Sequence, residues 1–395
     1  MGNNSGGFLK ITMDCANNGL KQSENSVLKS RGSSTRHTDH LRLLKKGKEN
    51  MHMADALISP AVGLTMWGVS AGLMGYCSKK LQDGLNDEKI PMMGVLGAFV
   101  FAAQMINFTI PGTGSSGHIG GGMILAALLG PHAAFLAMAA ILTVQALFFG
   151  DGGLLALGCN IFNLGFFPCF VGYPLVYKFI VRRPNSRTLL AGSMLSVIAA
   201  LQLGALAVVL ETVFSGISQL PFRIFVLMML PVHLAIGAVE GLMTSGIIGF
   251  VWKARPRMIE ESPRPAAAGS LKKLAVGFLA ATVLTGGFLA WFASSHPDGL
   301  EWAIEKVVGA ESLPDSETPI HRVFSDVQNR TTVLPDYSFP SAAGEAEMPP
   351  AWPAVDSGAT VSGIFGALMV LALCFLIGTG LKTLNRRGSA PNGKA

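Results

Sequence analysis

The stretch "MHMADALISP", residues 51–60, holds the first residues in the chain that could do chemistry together. If Met51 is the first residue of the working polypeptide, its α-amine, the backbone amide nitrogen of His52 and the imidazole Nδ1 of His52 close fused chelate rings on one metal ion. The peptide unit is planar, so these nitrogens share a plane. That arrangement suits Ni(II) and Cu(II), which also stand at the top of the divalent affinity order. A fourth nitrogen would complete the plane. All the ligands must shed protons, so binding weakens as pH falls. The chelate fails if the amine is consumed in a peptide bond. The competing reading is a chance Met–His pair in a juxtamembrane loop. Asp55 either accepts a hydrogen bond from the imidazole or the amine, or caps the first helix.

A second stretch, "PGTGSSGHIGGG" from Pro111 to Gly122, contains a literal G-x-G-x-x-G. A dinucleotide fingerprint needs a preceding strand and a βαβ unit, whereas this one sits between apolar spans. As a phosphate loop it also fails, because His118 and Ile119 stand where Lys and Ser or Thr are required. Nucleotide binding is excluded here. What remains is a loop of small residues presenting one imidazole, His118, which either meets a ligand or caps the following helix. Further polar groups lie in or at the edges of apolar runs: Gln104, Asn107, His132, Asn160, Asn163, Glu211, His233 and Glu240. Ionisable groups at membrane depth are costly, and are by default functional or paired. His233 and Glu240 are seven apart, two helical turns along one face. Asn160, Asn163, His233 and Glu240 are therefore candidates to support a site from behind, with helix–helix hydrogen bonding as the plainer alternative for each. "GVSAG" and "GAVEG" are small-x-x-x-small patterns, which speak of close helix packing.

These residues must be positioned by membrane helices. Half of the 395 residues are apolar and 14% are charged, with a mean hydropathy of +0.46. Apolar runs fall at 56–78, 91–110, 118–130, 132–149, 154–181, 188–214, 224–252, 271–293 and 361–381, most of them near the ~20 residues a bilayer crossing needs. The expectation is an all-α polytopic membrane protein, with about seven transmembrane helices in the core and two more flanking a segment of mixed composition at 294–360. Four domains follow: 1–50, a basic leader; 51–252, a metal-binding membrane domain; 253–270, a linker; and 271–395, a second membrane domain. The five cysteines form no C-x-x-C pair, so neither a disulfide framework nor a thiolate metal site is expected.

Lys and Arg follow the first, fifth, seventh and last spans, while 111–117 and 150–153 carry none. By the positive-inside rule, Met51 and 294–360 lie outside and the C-terminus lies in the cytoplasm. Residues 1–50 are awkward in this scheme. They hold nine Lys and Arg against four Asp and Glu, have no apolar core of a secretory signal, and read as disordered or as a mis-annotated start ahead of Met51. The basic excess belongs to this leader, so nucleic acid is not expected as a partner.

"MHMADALISP", "GSSGHIGGG", "LGPHAAFLAMAAILTVQALFFGDGGLLALGCNIFNLG" and "HLAIGAVEG", in that order, resemble the CbiM/NikM family, the membrane substrate-binding subunits of energy-coupling-factor nickel/cobalt transporters. "HPDGLEWAIEKV" from His296 resembles the PDGLE segment of the small companion subunit, here fused behind the first domain. The resemblance implies metal ligands Met51 (amine), His52 (amide and imidazole) and His118. Where the family opening has Pro and Gly beside the Asp, this chain has Ala54 and Ala56, which removes no ligand. It further implies Ni(2+) or Co(2+) as transported substrate, no permanently bound cofactor, no enzymatic activity in this chain, a place in the cell membrane, and two partners: a transmembrane coupling subunit and a cytoplasmic ATPase. Planar geometry leans toward nickel. The alternatives are a proton-coupled permease using Glu211, Glu240 and His233, and an intramembrane hydrolase, for which neither H-E-x-x-H nor G-x-S-x-G is present.

Overall fold

A computed structural model describes residues 51–82, 89–218, 220–259, 268–309, 313, 318–339 and 352–388; the expected leader, 1–50, lies outside them. The architecture is helical: α1 (Pro60–Gln82), α2 (Lys89–Gln104), α3 (Gly122–Leu129), α4 (Pro131–Phe149), α5 (Leu157–Ile180), α6 (Ser186–Ser215), α7 (Phe222–Ala254), α8 (Ala268–Gly287), α9 (Gly299–Val308), α10 (Pro319–Thr331) and α11 (Ser357–Gly388). Five of these, α4, α5, α6, α7 and α11, are long and apolar enough to cross a membrane. The chain is a multi-pass membrane protein. All described residues belong to one compact unit, Glu49–Ala395.

The core runs through α2, α3 and α4. Every residue of α2 except Lys89 and Pro91 is buried, as is all of α3. Helices apolar on every side are those placed at the centre. The third apolar run does not form a crossing helix. Its helix begins only at Gly122 and has eight residues, ~12 Å at 1.5 Å per residue, well short of a bilayer. The glycines ahead of it explain the late start. Gly121 sits at φ +75°, and a Cβ there would lie 2.4 Å from Val100 Cγ1. The second run likewise ends early, at Gln104. Its last three residues instead form β1 (Phe108–Ile110), antiparallel to β2 (Ser115–Gly117), with Ile110 opposite Ser115. Residues 115–117 and 119–121 of the irregular stretch are buried among protein groups, where non-helical backbone is tolerated, while Pro111, Gly112 and Gly114 are exposed.

Two further features shape the interior. Sixteen residues of α5, Phe162–Tyr177, are wound as π-helix and include Pro168 and Pro174. Each proline removes a helical donor and crowds the carbonyl of the preceding turn, which favours the wider winding. Gly237 and Gly241 of "GAVEG" press α7 onto α6: a Cβ at Gly241 would stand 2.9 Å from Met194 Cα. The matching pattern "GVSAG" does not pack. Gly68 and Gly72 face open space, so that half of the small-residue expectation is corrected.

The chain between α8 and α11 lies over the loops at one end of the bundle. Ser116 N–H donates to Pro297 O at 2.7 Å, and the Trp302 indole donates to Thr113 O at 3.0 Å. His321 Nε2 meets Ile58 O at 2.9 Å, and Gln328 donates to Gly152 O at 2.8 Å.

Candidate metal centre

Three loops converge under this cover: 51–59, 111–121 and 150–153. The first is fixed by backbone hydrogen bonds. Asn160 accepts from Met53 N–H at 3.1 Å and donates to Met53 O at 3.1 Å, and Gly153 N–H donates to Met53 O at 2.9 Å. Asp55 accepts from Ala156 N–H at 2.9 Å. Asp55 therefore ties the 51–59 turn to the start of α5, and the carboxylate beside the imidazole is another one. His52 is only 4% exposed. Gly152 makes room for it: φ is +77°, and a Cβ would lie 2.8 Å from the His52 Cβ.

The glycine-rich loop brings His118 to the same place. Its ring centroid is 5.4 Å from that of His52, tilted by 56°. Its Nδ1 faces Ile119 O at 3.3 Å and its Nε2 faces Met51 O at 3.4 Å. Both partners are carbonyl acceptors and a neutral imidazole carries one N–H, so only one of the two contacts can be a hydrogen bond at a time. Behind the loop, Glu240 accepts from Gly121 N–H at 2.9 Å, and Gln104 donates to Gly120 O at 2.9 Å.

The carboxylate beside His52 is Asp151. Its Oδ2 is 3.1 Å from His52 Nδ1 and accepts from the Tyr337 hydroxyl at 2.7 Å. Burial works against charge on His52, but the nearby Asp151 carboxylate, aided by Asp298, outweighs it and raises the histidine above its usual value. Burial would likewise raise Asp151, yet His52 and the Tyr337 hydroxyl hold it below the usual carboxylate range. His118 goes the other way. Burial first, and the charge of His52 second, lower it to about 4, leaving a neutral imidazole. Asp298 is pushed up to about 7, chiefly by burial, although its carboxylate caps α9 by accepting from Leu300 and Glu301 N–H at 2.9 and 2.8 Å.

Met51, His52 and His118 thus come together, and Asn160, Asn163, His233, Glu240 and Asp298 line the same cavity. Asn163 donates to Glu211 at 2.8 Å while its Oδ1 is buried without a partner, and His233 Nδ1 donates to Met229 O at 2.8 Å, within its own helix. Among the described residues, no three His, Cys, Asp or Glu side chains converge to hold an ion. A cation here would need backbone donors beside the two imidazoles. The His52 Nδ1 that a chelate uses is turned to Asp151, and Nε2 is buried with no partner. Asp151 and Tyr337 are additions to the residues expected from sequence. Asp151 was visible as the one acid in "FFGDGG"; nothing in the sequence marks Tyr337.

Residues 52–258 match the family model described as the cobalt uptake substrate-specific transmembrane region, and 272–383 match the PDGLE domain. A putative fused nickel transport protein, NikMN, of Archaeoglobus fulgidus is 32% identical over 336 residues, covering 83% of this chain and 98% of its own. A putative metal transport protein of Haloquadratum walsbyi is 37% identical over 209 residues, covering 53% of this chain and 93% of its own. A crystal structure titled as a truncated transition metal transporter aligns over 51% of this chain and 98% of its own, with a TM-score of 0.46 and 28% identity.

Proposed function

Because the chain belongs to the family of cobalt-uptake substrate-specific transmembrane regions, with a PDGLE domain behind it, we propose that it is the ion-capturing membrane subunit of an ATP-driven energy-coupling-factor importer for nickel, or for cobalt. The observation that carries this reading is the meeting of the His52 and His118 rings, 5.4 Å apart, with the Met51 backbone beside them. The fused relative from Archaeoglobus fulgidus, a putative nickel transport protein, supports nickel as the ion.

In this reading Met51 supplies a free amine, His52 its amide nitrogen and Nδ1, and His118 its Nε2 as the fourth ligand. Binding requires the His52 ring to turn Nδ1 toward the backbone. Nε2–H can then face Asp151, the usual way a carboxylate steadies a metal-bound imidazole. Capture takes place outside the membrane, with the C-terminus in the cytoplasm. A coupling subunit and a cytoplasmic ATPase supply the work, and displacement of the 111–121 loop withdraws His118 and opens the planar set. The chain itself hydrolyses nothing. Its working regions are 51–252 for binding, 253–270 as linker and 271–395 as the companion domain.

The test is to purify the chain from membranes, determine its N-terminal residue by mass spectrometry, and measure nickel binding with and without residues 1–50. Nickel binding is expected only with Met51 unblocked. Equal binding by a chain that keeps its leader removes the amine from the site.

A further inference from the structure

The Tyr337 phenol reaches the carboxylate beside His52 although it comes from the chain between α8 and α11. Its hydroxyl donates to Asp151 Oδ2 at 2.7 Å, the same oxygen that lies 3.1 Å from His52 Nδ1. Gln145, a polar neighbour of the phenol, donates to Gln104 Oε1 at 3.0 Å. Gln104 in turn donates to Gly120 O at 2.9 Å, two residues after His118. Polar groups therefore follow one another from the glycine-rich loop, past Gln104, Gln145 and Tyr337, to Asp151 and His52.

The placement of the phenol is over-determined. Its ring stacks on the fully buried Phe149, with centroids 4.8 Å apart and planes at 15°. Its carbonyl accepts from Ser362 Oγ at 2.8 Å. Asp336 and Tyr337 both hold positive φ, 51° and 59°, a conformation that residues with side chains keep only where the surroundings impose it. Asp151 Oδ1 has no hydrogen-bond partner, so the carboxylate is oriented through Oδ2 alone.

We infer that Tyr337 is a positioning residue for the metal site, its hydroxyl fixing the Asp151 carboxylate and through it the His52 ring. The companion domain thereby sets how tightly the binding domain holds its ion. This rests on the reading of His52 as a ligand. Outer partners of metal-bound histidines are worth roughly 10–100-fold in affinity, and a hydroxyl acting through a carboxylate belongs at the low end of that range.

The test is nickel(II) equilibrium binding, in detergent, to the chain that begins at Met51, with the absorption band of the bound ion recorded. Tyr337→Phe, which keeps the stacking on Phe149, is expected to weaken binding about 10-fold and to shift the band. Asp151→Asn is expected to move both readouts in the same direction. Adding Tyr337→Phe to Asp151→Asn should cost less than about 2-fold more, since two changes in one network do not add. The inference is overturned if Tyr337→Phe binds as the unsubstituted chain does while Tyr337→Leu is weakened, which is packing alone. It is also overturned if Asp151→Asn binds nickel undiminished, or if the two losses multiply. If the unsubstituted chain holds no nickel, the parent reading falls with it; nickel held equally by the parent chain and by Tyr337→Phe removes this inference alone.

Discussion

His52 is buried and His118 half-buried, their rings 5.4 Å apart, yet their surroundings push them in opposite directions. The 51–59 turn places His52 against a carboxylate, which favours its proton. The glycine-rich loop gives His118 only backbone oxygens, and burial beside a second imidazole favours the neutral form. One histidine stands ready with a lone pair, and the other must give up a proton before it can bind. The pair works as a neutral ligand and a proton-guarded one, not as two equivalent ligands.

The largest expected effect breaks the pair. His52→Ala and His118→Ala should each weaken nickel binding by about 100-fold or more, because either change removes a direct ligand. His52→Ala should be the worse, since it opens one of the two fused chelate rings and leaves the buried Asp151 with the Tyr337 hydroxyl but without its charge partner, a costly state for a carboxylate. Equilibrium dialysis against nickel ranks them. A smaller loss from His52→Ala would reverse the assigned roles.

A finer test concerns the proton. Because Asp151 holds His52 above its usual value of 6.5, the competing proton should suppress nickel binding up to a pH above that value, with affinity rising as pH increases. Asp151→Asn withdraws the charge that favours imidazolium. Its acid limb should therefore move to lower pH even though its affinity at high pH falls. His118, already neutral down to about 4, contributes no limb in this range. Binding titrations from about pH 5 to 8, the window in which histidine charge changes, would show both shifts. An acid limb unmoved by Asp151→Asn would detach the carboxylate from the histidine.

The contrast between the loops also separates what was legible in the sequence from what was not. Helix positions follow from long apolar runs, which depend only on local composition. The three expected ligands meet because Met–His spacing and the glycine-flanked imidazole are local signals too. What local reasoning misplaced is long-range. Asp55 sits three residues from His52 and looks like its natural partner, yet its carboxylate is taken by the Ala156 amide. Asp151, 99 residues further along the chain, has the imidazole instead. The eight-residue α3 was hidden because a run of apolar residues does not reveal that Gly120 and Gly121 hold its first turn out of helix. Tyr337 sits in a segment with no periodic pattern, and only the assembled fold shows where its hydroxyl points.

Backbone geometry at the His52 side offers a test of intermediate size. Gly152 lies at φ +77°, and a Cβ would press on His52 Cβ at 2.8 Å and on Asn160 Nδ2 at 2.9 Å. Gly152→Ala should cost about 1–2 kcal/mol from the left-handed backbone alone, and more from the contact. It should lower the thermal midpoint and weaken nickel binding together. Gly112, also at positive φ but with nothing near its Cβ position, provides the control: Gly112→Ala should show the backbone cost without loss of binding.

The smallest effect is expected behind His118. Glu240 accepts from the Gly121 amide at 2.9 Å while its second oxygen has no partner, so the structure uses it as an acceptor for the glycine turn. Glu240→Gln keeps an acceptor oxygen there and should leave nickel affinity within about 2-fold, since a neutral hydrogen bond replaces a charged one at a cost of ~1 kcal/mol or less. Glu240→Ala leaves a buried N–H unsatisfied, worth about 1–3 kcal/mol, and should loosen the loop that carries His118 without touching the pH limb set by His52. A change in that limb would mean the two histidine loops are not separately held. A large loss in Glu240→Gln would make the carboxylate charge itself part of the ion's environment.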